Sequence, residues 1–255
     1  MATGTQVRKT ESILFDLSGQ VVDYQRILEI QRALNSLRNR GQIHDSLIML
    51  QHNPVYTTGI HDNPEEYSGL HQKPVKVERG GSVTYHGPGQ LVVYFIVNLK
   101  DKGISVLDLI RLVQESVIAF LRRFGISAIP DLGKRTGVWV NDRKICSIGL
   151  AVREFTTLHG IAVNINNDLT EFDPIMPCGF SSSVMTSLRR ETGKSIQIEL
   201  AASLLIENIA EILSLDVLQT IVGAEKLEEY VSGLLSETAP SRTAEDNSMN
   251  QYPFH

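Results

Sequence analysis

The sequence predicts a single domain of the mixed α/β (α+β) class, in which a β-sheet is flanked by helices. Short apolar runs typical of buried strands alternate with two amphipathic segments of helical period, at 24–39 and 105–125. The chain has 255 residues, 42% of them hydrophobic and 21% charged, which suffices for one large core. We expect this domain to span residues 1–236. Residues 237–255 are polar and lack periodicity, so we expect a disordered tail there.

Caps, turns and periodicity support the individual elements. Asp23 is the expected N-cap of the helix at 24–39, and Gly125 ends the helix at 105–125. The run 89–99 is apolar nearly throughout, as in a central strand covered on both faces. A turn at 141–142 predicts a hairpin over 137–154. The remaining predicted elements are strands at 12–17, 46–52, 75–79 and 159–166 and helical stretches at 198–213 and 214–236.

Composition excludes several classes of protein. No apolar run approaches the roughly 20 residues that span a bilayer, and the first residues lack the apolar region of a secretory signal, so we expect no membrane partner. Only two cysteines are present, Cys146 and Cys178, which favours a reducing compartment without a disulfide. We expect a cytoplasmic protein, with an organelle matrix or stroma left open. The net charge of −5 argues against a nucleic-acid partner.

Two short segments have the composition of a functional site. In IMPCGFSSS, at 175–183, Cys178 stands between a proline and a glycine, which predicts a turn that presents its thiol to a ligand. In RGGSVTYHGPGQ, at 79–90, four glycines allow backbone N–H groups to approach a ligand closely. This segment is neither a Walker A loop nor a G-x-G-x-x-G fingerprint, so neither pattern supports a nucleotide site.

The segment RGGSVTYHGPGQ resembles the signature of the lipoyl(octanoyl) transferase family. WVNDRKICSIGLAV, HGIAVNINNDL and IMPCG match the same family in the same order. The resemblance implies the fold of the biotin and lipoate protein ligases. It also implies transfer of an octanoyl group from octanoyl-acyl carrier protein to a lysine of lipoyl domains through a cysteine thioester, the first step of de novo protein lipoylation, with no cofactor. The implied acceptors are the E2 subunits of 2-oxoacid dehydrogenases and the glycine cleavage H protein.

The resemblance also implies which residues form the site. The catalytic Cys-Lys pair falls on Cys178 and Lys144, which are far apart in sequence, so only the fold can bring them together. At position 146 the family often has alanine, whereas this chain has cysteine. The implied acyl pocket comprises Arg79, Gly80, Gly81, Ser82, Val83, Thr84, Tyr85, His86, Ser147, Ile148, Gly149, His159, Gly160, Ile161 and Ala162.

Cys146 is a rival nucleophile. Because strand side chains repeat every two residues, Lys144 and Cys146 are expected on one face of a strand. A thiol in the middle of a strand is more commonly buried and inert, which favours Cys178. His86 and His159 are expected to shape the pocket, and we predict no metal site because no cysteine or carboxylate lies at ligand spacing from them.

Two alternatives and one surface prediction remain. An ATP-dependent lipoate or biotin protein ligase would share the fold, but such ligases usually carry an acidic residue after the histidine, where this chain has Gly87. A non-catalytic protein that binds carrier proteins or lipoyl domains would not need the Cys-Lys pair. Because the chain is acidic, docking of an acidic partner requires a local basic rim, which we expect from Lys73, Lys76, Arg79, Arg189, Arg190 and Lys194.

Overall fold

The computed structural model describes residues 7–176 and 184–238, and of residues 134 and 238 only the backbone. Its strands are β1 (Thr10–Val22), β2 (Asp45–His52), β3 (Val55–Thr58), β4 (Val75–Lys76), β5 (Val83–His86), β6 (Gln90–Ile96), β7 (Ile129–Asp131), β8 (Gly137–Val140), β9 (Arg143–Arg153), β10 (Thr156–Asn164) and β11 (Leu215–Val222). Its α-helices are α1 (Tyr24–Asn39), α2 (Leu99–Lys102), α3 (Val106–Arg122), α4 (Leu188–Thr192), α5 (Ile198–Ile212) and α6 (Ala224–Thr238).

One mixed sheet of eight strands runs through the domain in the order β11-β1-β2-β6-β10-β9-β8-β7. β1 is parallel to β11 and to β2, and the other neighbouring pairs are antiparallel. α3 and α5 cover one face of the sheet, and α1 and α6 cover the other. Every residue of β6 is buried, as expected of a central strand. The predicted mixed sheet flanked by helices is therefore confirmed.

The predicted helix starts are confirmed by their caps. The Asp23 carboxylate accepts a hydrogen bond from the backbone N–H of Arg26 at the start of α1. α3 begins with a reciprocal capping box between Ser105 and Asp108. Gly125 adopts a left-handed conformation, with φ of 72°, just after α3 ends. Local side chains thus define both helices that the periodicity predicts.

The prediction of a helix over 214–236 is wrong in its first part. Residues 215–222 form β11, an edge strand parallel to β1, and Gly223 separates it from α6. The β-branched residues Val217, Thr220 and Ile221 favour the strand. α6 continues through Thr238, and residues 239–255 of the predicted tail lie outside the described residues.

A second, three-stranded sheet in the order β4-β3-β5 carries the glycine-rich segment over the main sheet. The N–H of Gly80 donates to the carbonyl of Leu150 in β9 at 2.9 Å. A Cβ at Gly59, which follows β3, would lie 2.4 Å from the carbonyl oxygen of Gly81, so only glycine fits there. Backbone contacts on both sides therefore hold the glycine-rich segment in place. No helix in the described chain is both long and apolar enough to cross a membrane.

Candidate active site

A cavity of about 580 Å³, a volume that includes its opening to solvent, lies between the main sheet and the glycine-rich segment. It lies on the α1 face of the sheet, to whose core Val92 and Tyr94 of β6 and Ala162 of β10 belong. It is lined by Tyr24, Arg79, Gly80, Gly81, Ser82, Val83, Thr84, His86, Val92, Tyr94, Lys144, Ser147, Ile148, Gly149, His159, Gly160, Ile161 and Ala162.

The fold brings together three of the four sequence segments from which the site residues were predicted, namely 79–86, 144–149 and 159–162. Of the predicted residues that the structure describes, all except Tyr85 line the cavity. The Tyr85 ring packs instead against Tyr56 and Phe172, with ring centroids 5.2 and 5.6 Å apart. Tyr85 lies between Thr84 and His86 in β5, and strand alternation turns its side chain away from them. Cys178 lies outside the described residues.

Three lining residues were not predicted: Tyr24, Val92 and Tyr94. Tyr24 is the first residue of α1, and the other two belong to β6. A tyrosine within the aliphatic run LVVYFIV was the available signal, because a buried phenol needs a hydrogen-bond partner. The Tyr94 hydroxyl does lie 2.7 Å from Nε2 of His52.

A β-bulge directs Lys144 into the cavity. β8 pairs Val138 with Cys146 but Trp139 with Lys144, so Ile145 is the extra residue on β9. Ile145 and Cys146 therefore both belong to the core on the α3 side, while Lys144 lines the cavity on the α1 face. The prediction that Lys144 and Cys146 share a face is wrong, because regular alternation fails at the bulge.

Cys146 is a poor nucleophile in this environment. Its side chain is fully buried in the apolar core and does not line the cavity. Burial raises the pKa of its thiol from 9.0 to about 12, despite the opposing charge of Lys144. The thiolate is therefore essentially absent near pH 7, as the mid-strand position suggested.

Lys144 is held by packing and by main-chain contacts. It is 5% exposed, and its Nζ lies 5.7 Å from the centroid of the Trp139 ring. A Cβ at Gly137 would lie 2.5 Å from Cε of Lys144, so the lysine stem occupies the space that a larger residue would fill. Met185 forms a parallel bridge with Lys144, and the N–H of Thr186 donates to the Lys144 carbonyl at 3.0 Å. The chain that follows residues 177–183 thus runs directly beside Lys144.

Histidines near the cavity are uncharged at neutral pH. Burial lowers the pKa of His86 to about 3 and those of His52 and His159 to about 4. Nδ1 of His52 lies 3.2 Å from the Val22 carbonyl and must donate, so its Nε2 accepts from the Tyr94 hydroxyl. The histidine and tyrosine rings on this side of the cavity therefore carry no charge at neutral pH.

Arg79 ties the roof of the cavity to its neighbours. Its guanidinium donates to the Thr57 carbonyl and hydroxyl, both at 2.9 Å, and to the Gly80 carbonyl at 3.0 Å. A Cβ at Gly149 would lie 3.1 Å from Cδ of Arg79, so the arginine packs directly on β9. Arg79 is 8% exposed and cannot contribute to a basic rim on the surface, which corrects that part of the prediction.

Known proteins similar to this chain form one family. The model of the lipoyl protein ligase A/B catalytic domain matches residues 23–210. The chain is 48% identical over 188 residues to the "Probable octanoyltransferase 2" of Picrophilus torridus, covering 74% of each chain. It is 38% identical over 187 residues to the octanoyltransferase of Pelobacter propionicus, covering 73% of this chain and 88% of the relative.

A solved structure supports the fold. The bipartite lipoate protein ligase of Thermoplasma acidophilum superimposes with a TM-score of 0.61 over 90% of this chain and 92% of that chain, at 17% identity. The predicted lipoate ligase fold is thereby confirmed. The sequence matches identify this enzyme as an acyltransferase that acts in lipoylation. The chain is a member of the lipoyl protein ligase A/B catalytic-domain family, among its octanoyltransferases.

Proposed function

We propose that this enzyme takes an octanoyl group from an acyl carrier protein onto Cys178 and then passes it to a lysine of a lipoyl domain. In the first step the Cys178 thiolate attacks the thioester carbonyl, the C–S bond to the carrier breaks, and the carrier sulfur leaves and takes up the proton that Cys178 released on ionising. In the second step the lysine amine attacks the new thioester, the C–S bond breaks, and the surplus proton returns to the Cys178 sulfur. The thioester is already activated, so the reaction needs no ATP.

One observation carries this proposal. Lys144 lines the cavity, and the chain at Met185 and Thr186, a few residues after Cys178, forms a β-bridge and a backbone hydrogen bond with it. This pairing supports an approach of Cys178 to Lys144. Val92 and Ala162, which belong to the core on the α1 face, add aliphatic lining, which suits an alkyl chain.

A positive charge on Lys144 would favour the thiolate of Cys178, which is the reactive form of the thiol. A cysteine with the ordinary pKa near 8.5 is only about 3% ionised at pH 7. A cation within about 4 Å contributes up to about 4 kcal/mol at an effective dielectric of about 20. Half of that lowers the thiol pKa by about 1.5 units and makes about half of the thiol reactive. The burial of Cys146 leaves Cys178 as the cysteine able to use this effect.

Mass spectrometry of the intact enzyme tests the proposal. Incubation with octanoyl-acyl carrier protein in the absence of ATP is expected to add the mass of one octanoyl group to Cys178. A lipoyl domain added afterwards should remove that mass and gain it on one lysine. Cys178→Ser should prevent labelling, while the matched control Cys146→Ser should leave it intact. Labelling of Cys146, or transfer that requires ATP and free octanoate, would contradict the proposal.

A further inference from the structure

His86 has a defined tautomer because a buried amide network orients it. Its Nδ1 lies 2.8 Å from Oε1 of Gln90. Nε2 of Gln90 donates to the Tyr85 carbonyl at 3.2 Å and to Oδ1 of Asn164 at 3.0 Å, which identifies the two ends of the Gln90 amide. Nδ2 of Asn164 in turn donates to the Thr186 carbonyl at 3.0 Å. Because Gln90 offers its oxygen, Nδ1 of neutral His86 carries the proton and Nε2 carries the lone pair.

The same network reaches Lys144. The N–H of Thr186 donates to the Lys144 carbonyl at 3.0 Å. The chain of bonds therefore runs from His86 through Gln90, Asn164 and Thr186 to the main chain of Lys144. His86, Gln90 and Asn164 are each more than 90% buried. In a buried network each bond is costly to lose, so these residues hold one relative position.

The remaining nitrogen of His86 is an acceptor. Within the described residues Nε2 has no hydrogen-bond partner, and His86 lines the cavity together with Lys144. The ring stacks on Tyr24, with centroids 5.9 Å apart, and meets the edge of His52 at 5.9 Å. His52, Arg79 and His159 all disfavour a proton on His86, and burial does so most strongly. Nε2 thus keeps its lone pair near neutral pH and accepts a hydrogen bond without taking the proton.

We propose that Gln90 and Asn164 are positioning residues that orient His86 so that its Nε2 accepts a hydrogen bond from the attacking amine in the second half-reaction. This inference rests on the proposed function. Of the two substrates, the amine carries N–H bonds at its reacting atom, whereas the reacting carbon, oxygen and sulfur of the thioester offer no donor. One N–H would be held by Nε2 while the nitrogen lone pair forms the C–N bond, the C–S bond breaks, and the surplus proton ends on the Cys178 sulfur.

The first test reads the tautomer directly. In enzyme with 15N-labelled histidine, NMR of the ring nitrogens should show His86 protonated at Nδ1. Gln90→Leu removes the acceptor of that proton and is expected to shift His86 toward the Nε2–H form. Gln90→Glu retains an acceptor oxygen and should preserve the Nδ1–H form. The matched control is Gln51→Leu, since Gln51 is a buried glutamine whose described bonds go to backbone groups of Ser18 and Gly89.

The second test separates the half-reactions. Gln90→Leu and Asn164→Ala are expected to slow transfer from acyl-Cys178 to the amine about three- to tenfold, the usual effect of one hydrogen bond. Formation of the acyl-enzyme should stay within about twofold of the wild type, and Gln51→Leu should change neither step.

Three outcomes are decisive. An unchanged tautomer in Gln90→Leu, or equal slowing of both half-reactions in the Gln90 and Asn164 variants, would overturn the positioning role. A wild-type enzyme that forms no acyl-enzyme would instead overturn the proposed function. If Gln90→Leu fails to fold, the Asn164→Ala kinetics decide alone.

Discussion

A substitution at Ala162 tests directly whether the cavity selects the length of the acyl chain. It is 4% exposed, lies in β10 between Val92 of β6 and Ser147 of β9, and lines the cavity. Ala162→Val adds two methyl carbons at the cavity floor. If they displace two carbons of the ligand, at about 0.8 kcal/mol each, binding of an octanoyl chain relative to a hexanoyl chain weakens by about 1.6 kcal/mol. The hexanoyl-to-octanoyl ratio of kcat/KM should then rise about fifteenfold.

The assay compares kcat/KM for hexanoyl, octanoyl and decanoyl thioesters of one carrier. Ala202→Val is the matched control, because Ala202 is equally buried but packs in α5 on the other face of the sheet. Both variants should lose some thermal stability through overpacking. Only Ala162→Val should change the chain-length preference. An unchanged preference, or the same change in both variants, would refute the placement of the alkyl chain over β10.

Three further predictions follow from charge and burial. Lys144→Met should raise the pH midpoint of Cys178 alkylation by iodoacetamide, and identical midpoints would mean that Lys144 does not tune the thiol. Burial lowers the pKa of His52 from 6.5 to about 4, so the unfolded chain binds more protons between these values. The contribution of His52 to the free energy of unfolding should therefore be complete above about pH 6.5 and fall by about 3 kcal/mol toward pH 4, within a larger loss to which His86 and His159 also contribute. In urea unfolding, His52→Gln should make the pH dependence shallower by that amount, and parallel curves would contradict it. Arg189 and Arg190 are exposed, so changing both to Glu should raise KM for a carrier-bound donor at low salt. Equal impairment with a small octanoyl thioester would rule out a docking role.

Local chemistry explains which parts of the fold were predictable. The starts of α1 and α3 depend on caps that lie next to them in sequence, and both predictions are confirmed. The turn at Asn141 and Asp142 requires two positive φ values, 45° and 63°, which these residue types tolerate. β11 was missed because its partner is β1, some 200 residues earlier, and an edge strand with one exposed face has no clear alternating pattern.

The sequence indicated many of the residues of the candidate site but not how they are arranged in space. The glycine-rich segment was found from its composition, whereas Lys144 was identified through the family resemblance of the segment around it. The prediction that Lys144 and Cys146 share one face of the strand is wrong, since the bulge at Ile145 depends on pairing with β8, which no local pattern reveals. Tyr24 and Tyr94 were missed because each also fits an ordinary core position, and only the tertiary fold places them at one cavity.

The pairing of Met185 with Lys144 has a topological consequence. β10 ends at Asn164, and beyond it Met185 takes the neighbouring place beside β9. The chain thus leaves the main sheet after Asn164 and returns to it at Met185, and the intervening sequence contains Cys178. The entropy of closing such a loop grows slowly, by about 0.6 kcal/mol for each doubling of length. Insertions here are therefore limited less by the entropy of closing the loop than by its packed part, because Phe172 and Ile175 are buried against Val83 and Tyr85 of β5.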